Sequence, residues 1–226
     1  MDSFSIETSS FLQDLTENNN KEWFQDNKER YTNFVINPFK QLVISLSEFM
    51  LDIDPEFVVE PKVDRTISRI NKDIRFSKDK TPYKTHMFMT IKRKNKDWNS
   101  RPAFFLEIGP DRYSYGMGML MPNPNSMKSV RNYIDSDPKA FDKLLSSYSY
   151  SDVFKIKGDL YAKKKSPHSD EINEFYLKKN IFFSKSRCND DGLYSDDLYK
   201  RVIEDLKLVA PLYHQLNKMI ESQCCG

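Results

Sequence analysis

Glycine is scarce in this chain, with 6 among 226 residues. Loops that press backbone amides against a phosphate draw several glycines into one short stretch. None does so here, and neither a P-loop nor a dinucleotide-binding fingerprint is present. Cysteine is rarer still: Cys188 stands alone, and Cys224 and Cys225 lie at the C-terminus. An odd count without regular spacing is no disulfide framework, and the terminal pair reads as an incidental tail. The three histidines, His86, His168 and His214, are far apart, and no Cys-x-x-Cys accompanies them. Nothing has the spacing of a zinc site, so neither a metal nor a cofactor is expected. No stretch approaches the ~20 apolar residues that a membrane helix needs. The segment Met1 to Ser10 holds two acids and no Lys or Arg, unlike a signal peptide. The expectation is a cytoplasmic protein with no membrane partner.

What the chain does have is aromatic and charged side chains. Hydrophobic residues make up 38%, charged residues 30% and aromatic residues 13%, including 16 Phe and 12 Tyr. That balance fits a water-soluble globular fold, and the length suits one domain, residues 1–226, with a real core. The net charge of +2 hides an asymmetry. Lys62 to Lys94 carries 11 Lys and Arg against 3 Asp and Glu, a local +8, whereas the remainder has 24 basic and 30 acidic residues. Positive charge is concentrated in one stretch of an otherwise mildly acidic chain.

The N-terminal third reads as helical. Asn20 can cap a helix carrying Trp23, Phe24, Asn27 and Tyr31, and Asn37-Pro38 predicts a fresh start with Asn as cap. Leu42, Val43, Leu46, Phe49 and Met50 follow at helical spacing, up to Asp54-Pro55. Strands are predicted next, over Thr66 to Phe76, at Met87-Met89-Ile91, over Ala103 to Ile108 and at Tyr113-Tyr115-Met117, the last two forming a hairpin. Beyond Pro122 and Pro124 the pattern turns helical, with Ser126, Asp137-Pro138 and Ser195 as starts and Phe154 to Ile156 as one more strand. Pro211 should kink or interrupt the last helix, and Lys163-Lys164-Lys165 reads as a solvated loop. The predicted fold is α+β: a mostly antiparallel sheet from about Thr66 to Leu120, flanked by N- and C-terminal helices.

The outstanding segment runs Arg69-Ile-Asn-Lys-Asp-Ile-Arg-Phe-Ser-Lys-Asp-Lys-Thr-Pro-Tyr-Lys-Thr-His86. On a strand, Arg69, Asn71, Asp73 and Arg75 share one face, while Ile70, Ile74 and Phe76 face the core. Ser77 to Pro82 then turns the chain. Arg forks match phosphate or carboxylate, and Lys adds point charge. The candidate ligand-binding set is therefore Arg69, Arg75, Lys78, Lys80, Tyr83, Lys84 and His86. The plainer reading is that these charges pair with the chain's own acids or face water. Asn18-Asn19-Asn20-Lys21-Glu22-Trp23-Phe24 stands out next, and reads as a turn and cap with Trp23 in the core.

These segments carry a resemblance. The chain resembles an uncharacterised family, mostly bacterial with fungal members, known as a domain of unknown function. The likeness begins at Phe11-Leu12 and Asn18 to Phe24 and passes through Asn27-Lys28, Tyr31 and Pro38. It is strongest at Arg69-Ile70, Asp73 and Arg75 to Lys84, and extends to Gly116-Met117-Gly118, Pro122, Arg131 and Ala210-Pro211-Leu212. It implies an α+β fold and no particular activity. One departure is Asn71-Lys72, where the family usually carries a second Arg or Tyr-Arg.

Two functions follow from the motif. The first is a binding module for an anionic small molecule, with nucleic acid bound weakly and non-specifically at most, because the whole-chain pI is only about 8.2. The second is an enzyme acting on a phosphate ester or similar anion, with His86 or Asp79 moving a proton and Arg69 and Arg75 stabilising charge. A third reading makes the motif a structural ion-pair network.

Overall fold

The computed structural model describes residues 3–75, 77–94, 98–147, 149–161, 166 and 168–221. Helix α1 (Ile6–Glu17) is followed by α2 (Lys21–Asp26), which starts as predicted: the Asn20 side chain accepts the Trp23 amide at 3.0 Å. After α3 (Lys28–Tyr31) comes one π turn, Thr32–Ile36, which runs directly into α4 (Asn37–Ile53). The expected fresh start at Asn37-Pro38 is thus corrected, since Asn37 is itself helical (φ −63°, ψ −45°). Pro38 has no N–H to offer the Phe34 carbonyl four residues back. That carbonyl accepts the hydroxyl of fully buried Thr8 at 2.6 Å instead. The helix therefore continues past the proline with its orphaned acceptor satisfied. Phe39, Leu42, Val43, Leu46 and Met50 form the buried stripe of α4.

The sheet comprises β1 (Phe57–Val58), β2 (Met87–Arg93), β3 (Ala103–Ile108), β4 (Arg112–Met119), β5 (Lys155–Lys157) and β6 (Ile181–Cys188), in the order β1-β2-β3-β4-β6-β5. It is antiparallel, so the α+β expectation holds. The β3–β4 hairpin is present, closed by Gly109 N–H to the Arg112 carbonyl at 2.9 Å. Two expectations change. Residues 66–75 form isolated bridges, not a strand. The sheet also recruits β5 and β6 from well beyond Leu120. Strand β6 is buried only over its first half, and Ser186, Arg187 and Cys188 are exposed, which masks its alternation. It lies against Gly116 and Gly118 of β4, where an added Cβ would collide with the carbonyls of Phe183 and Ile181.

Helix α5 (Pro124–Ser136) is capped by Asn123, which accepts the Ser126 amide at 2.8 Å, so Ser126 is not the cap. Asp137 caps α6 (Pro138–Ser146) as predicted, accepting the Ala140 amide at 2.9 Å. Then come α7 (Asp170–Tyr176), α8 (Asp191–Tyr194) and α9 (Leu198–Glu221). Pro211 does not interrupt α9: the carbonyl it leaves without a donor belongs to exposed Lys207, where water can take it. No helix among the described residues is long and apolar enough to cross a membrane.

The chain forms two compact units. The first takes the described residues of 1–91, 105–115 and 186–203; the second takes those of 92–104, 116–185 and 204–226. The basic motif lies wholly in the first. The first unit's core includes Phe11, Leu15, Val35, Phe39 and Leu46, all without exposed surface. In the second, Tyr150, Phe175 and Phe183 form an aromatic cluster, with Ile156 of β5 facing Phe183 of β6.

Candidate anion-binding loop

The described residues of 66–90 form two short antiparallel strips. In the first, Ile67 faces Met89, flanked by Ser68 N–H to the Phe88 carbonyl and Thr90 N–H to the Thr66 carbonyl, each 2.8 Å. In the second, Asn71 faces Tyr83, flanked by Lys72 N–H to the Pro82 carbonyl and Lys84 N–H to the Ile70 carbonyl, again 2.8 Å. One side advances from 67 to 71 while the other retreats from 89 to 83. The return side therefore carries two extra residues, a bulge at Thr85–His86. This bulge breaks the strand that the alternating isoleucines predict, and both Ile67 and Ile70 end up buried.

Because Asn71 and Tyr83 form a non-hydrogen-bonded pair, the N–H and C=O of Tyr83 point away from Asn71. Asn19 meets both. Its side-chain amide donates to the Tyr83 carbonyl at 2.9 Å and its oxygen accepts the Tyr83 amide at 3.0 Å. Asn19 thus occupies the place of a neighbouring strand. The Tyr83 ring is 7% exposed and stacks on Phe24 with centroids 4.3 Å apart. Tyr83, expected at the ligand, is held in the core.

The turn beyond Asn71 is braced by its own charges. Asp73 receives the Arg75 guanidinium in a fork, at 2.9 and 2.6 Å, and the Arg75 amide at 3.3 Å. The Arg75 fork holds the Asp73 carboxyl down at about 2. Asp79 takes the Lys72 ammonium on one oxygen at 2.7 Å, and the Thr81 amide and hydroxyl on the other at 2.9 and 2.8 Å. Lys72 first, and then Thr81, keep Asp79 well below the usual carboxylate range. Lys72 also donates to the Thr81 oxygen at 2.6 Å. The ammonium groups of Lys80 and Lys84 donate to the Ile74 and Arg69 carbonyls at 2.9 and 3.0 Å. Burial, followed by the Arg69 charge, pushes the Lys84 ammonium down.

The structure thus brings Arg69, Lys84 and the Asp73–Arg75 pair within electrostatic reach of one another. Lys78, Lys80, Arg69 and Arg75 are exposed, and among the described residues Arg69 and Lys78 form no ion pair. His86 has other neighbours: its ring lies against Gly109, and its Nδ1 is 3.2 Å from the Thr85 hydroxyl. Phe76, expected in the core, lies outside the described residues, as do Lys163 to Lys165, Cys224 and Cys225. Sequence reasoning missed the Asn19 latch, although the run of three Asn marked its place, and also Asp64. Asp64 holds a left-handed backbone (φ 64°) in the turn before Ile67, and its charge acts on both Lys84 and Tyr31. Among the described residues no group of His, Cys, Asp and Glu is placed to hold a metal ion. In the second unit, a groove of about 430 Å³ is lined by Asp142, Asp170, Glu171 and Glu174, a sign of charge unsuited to an anion.

The family model described as "Conserved hypothetical protein (DUF2461)" matches residues 7–214, and the chain belongs to that family. Among curated proteins none matches it.

Proposed function

We propose that the protein is a cytoplasmic binding module for an anionic small molecule bearing phosphate or carboxylate, held at the 69–80 turn. The observation that carries this reading is the division of labour among the charges. The two acids of the turn, Asp73 and Asp79, are engaged by Arg75 and Lys72, and their oxygens also fix the backbone at Arg75 and Thr81. Among the described residues Arg69 and Lys78 remain exposed without a carboxylate, beside a turn whose two acids already hold its backbone. Contacts that brace a turn before a ligand arrives remove part of the entropy that binding must otherwise overcome. Arg69 supplies the fork and Lys78 the point charge. As a proton carrier Asp79 is poorly suited, since Lys72 and Thr81 hold its carboxyl well below the usual carboxylate range.

The test is isothermal titration with inorganic phosphate and with a phosphate monoester, at fixed ionic strength. Wild type should bind, and Arg69→Ala with Lys78→Ala should weaken binding by roughly tenfold or more. The structural reading, favoured by the Asp73–Arg75 fork, gains if neither anion binds and Asp79→Asn disorders the loop.

A further inference from the structure

The second unit holds two cations that packing has taken out of water. Arg131, on α5, is 8% exposed, and Lys178, just after α7, is 9% exposed. A charge at this depth is tolerated when a partner compensates for lost hydration. Among the described residues neither forms an ion pair. Each reaches only a backbone carbonyl, and at the outer limit of a hydrogen bond: Arg131 to that of Lys178 and Lys178 to that of Gly158, both at 3.5 Å. The Arg131 guanidinium stands 5.4 Å from the centroid of the Tyr161 ring, which the Lys179 ammonium also approaches, at 5.7 Å. Two cations, Arg131 and Lys179, therefore approach one aromatic ring, and Lys178 adjoins them through its backbone carbonyl.

Two carboxylates nearby have hydrogen-bond partners of their own. Asp135 bonds His168 Nε2 at 2.8 Å with one oxygen and accepts the Tyr176 hydroxyl at 3.1 Å with the other. Asp159 faces the Asn180 side-chain amide at 3.3 Å. The positive charge of Arg131 reaches as far as Tyr176, where it opposes the effect of Asp135. A guanidinium fork and an ammonium, on residues buried from solvent and without an ion pair among the described residues, match a doubly charged oxyanion in charge and in donor chemistry. Burial of both cations suits a small ion and not a polymer backbone, which needs an exposed stripe.

We propose that Arg131 and Lys178 form a binding site for a small oxyanion of the phosphate class, with Lys179 and Tyr161 at its margin. This site is independent of the 69–80 turn, and it stands or falls separately. The experiment is an amide-resolved NMR titration of the full chain with inorganic phosphate, with chloride at matched ionic strength as control. It is run on wild type, on Arg131→Met and on Arg69→Ala/Lys78→Ala. Phosphate should shift the amides around Arg131, Tyr161 and Lys178 in wild type and in the loop variant, and Arg131→Met should weaken that response by roughly tenfold or more. Without phosphate, Arg131→Met should melt no lower than wild type, since it removes a buried charge held by only one long hydrogen bond and the Tyr161 ring. Wild-type amides that stay unmoved at this place overturn the proposal, whether or not Arg131→Met folds. So does an Arg131→Met variant that melts lower by the same amount with and without phosphate, which would make Arg131 a structural partner of Tyr161.

Discussion

Replacing Asn19 by Ala should unlatch the loop from the N-terminal helices. The substitution removes two hydrogen bonds, at 2.9 and 3.0 Å, and leaves the amide and carbonyl of Tyr83 facing a void. Tyr83 is 7% exposed, so water cannot simply replace the lost partner. A typical intramolecular hydrogen bond contributes about 1 kcal/mol net, and orphaning a buried group costs about 1–3 kcal/mol. Together these predict a loss of about 2–3 kcal/mol for Asn19→Ala. Asn20→Ala, three residues before the Trp23 amide that it caps, should cost only about 1 kcal/mol, as N-cap losses do. Asn19→Asp should fall between wild type and Asn19→Ala, because a carboxylate still accepts the Tyr83 amide but repels its carbonyl. The assay is denaturant unfolding combined with hydrogen exchange at the Tyr83 amide, whose protection should fall in Asn19→Ala. If Asn19→Ala stays within about 0.5 kcal/mol of wild type and Tyr83 exchange is unchanged, Asn19 is a surface residue and the latch is refuted.

Three further outcomes follow. Thr8→Val keeps the shape of the side chain but leaves the Phe34 carbonyl without a donor, and equilibrium unfolding should show a loss of about 1–3 kcal/mol. Gly109→Ala places a Cβ 2.5 Å from His86 Cδ2 and Nε2, so the imidazole must move; His86 ring proton shifts should change, at a cost of about 1–3 kcal/mol read from denaturant midpoints. Asp73 has a folded value of about 2, below that of an unfolded carboxylate. Its contribution is therefore complete above the ordinary carboxylate range and is lost as pH falls toward 2, so carboxyl-detected NMR should find the Asp73–Arg75 pair intact at pH 4. An Asp73 that titrates with the other carboxylates would show that the fork does not persist in solution.

Much of this architecture was legible in the residues. The caps at Asn20 and Asp137, the stripe of α4, strand β2 and the β3–β4 hairpin all follow from local chemistry that neighbours reinforce. The misses share a cause, which is that tertiary contacts decided them. Pro38 reads as a helix start until Thr8, distant in sequence, is seen to satisfy the Phe34 carbonyl. Ile67, Ile70 and Ile74 read as one strand because a bulge at Thr85–His86 leaves no mark on the partner segment. Tyr83 reads as a ligand residue by its place among cations, yet its backbone register turns the ring onto Phe24. Strand β6 hides because half of it is solvated. In the basic motif the sequence pattern located the charges, but not which acids would engage them: Asp73 and Asp79 take Arg75 and Lys72, and among the described residues Arg69 and Lys78 form no ion pair.

That last division is tested most directly by mapping inorganic phosphate onto the full chain through its backbone amide resonances at physiological ionic strength. The account predicts saturable shifts at Arg69 and from Ser77 to Lys80, abolished in Arg69→Ala/Lys78→Ala while the Tyr83 amide keeps its protection from exchange. Amides of the 69–80 turn that do not respond to phosphate, in a chain whose Asp73–Arg75 and Lys72–Asp79 pairs are intact, would contradict it and leave the motif a self-contained structural brace.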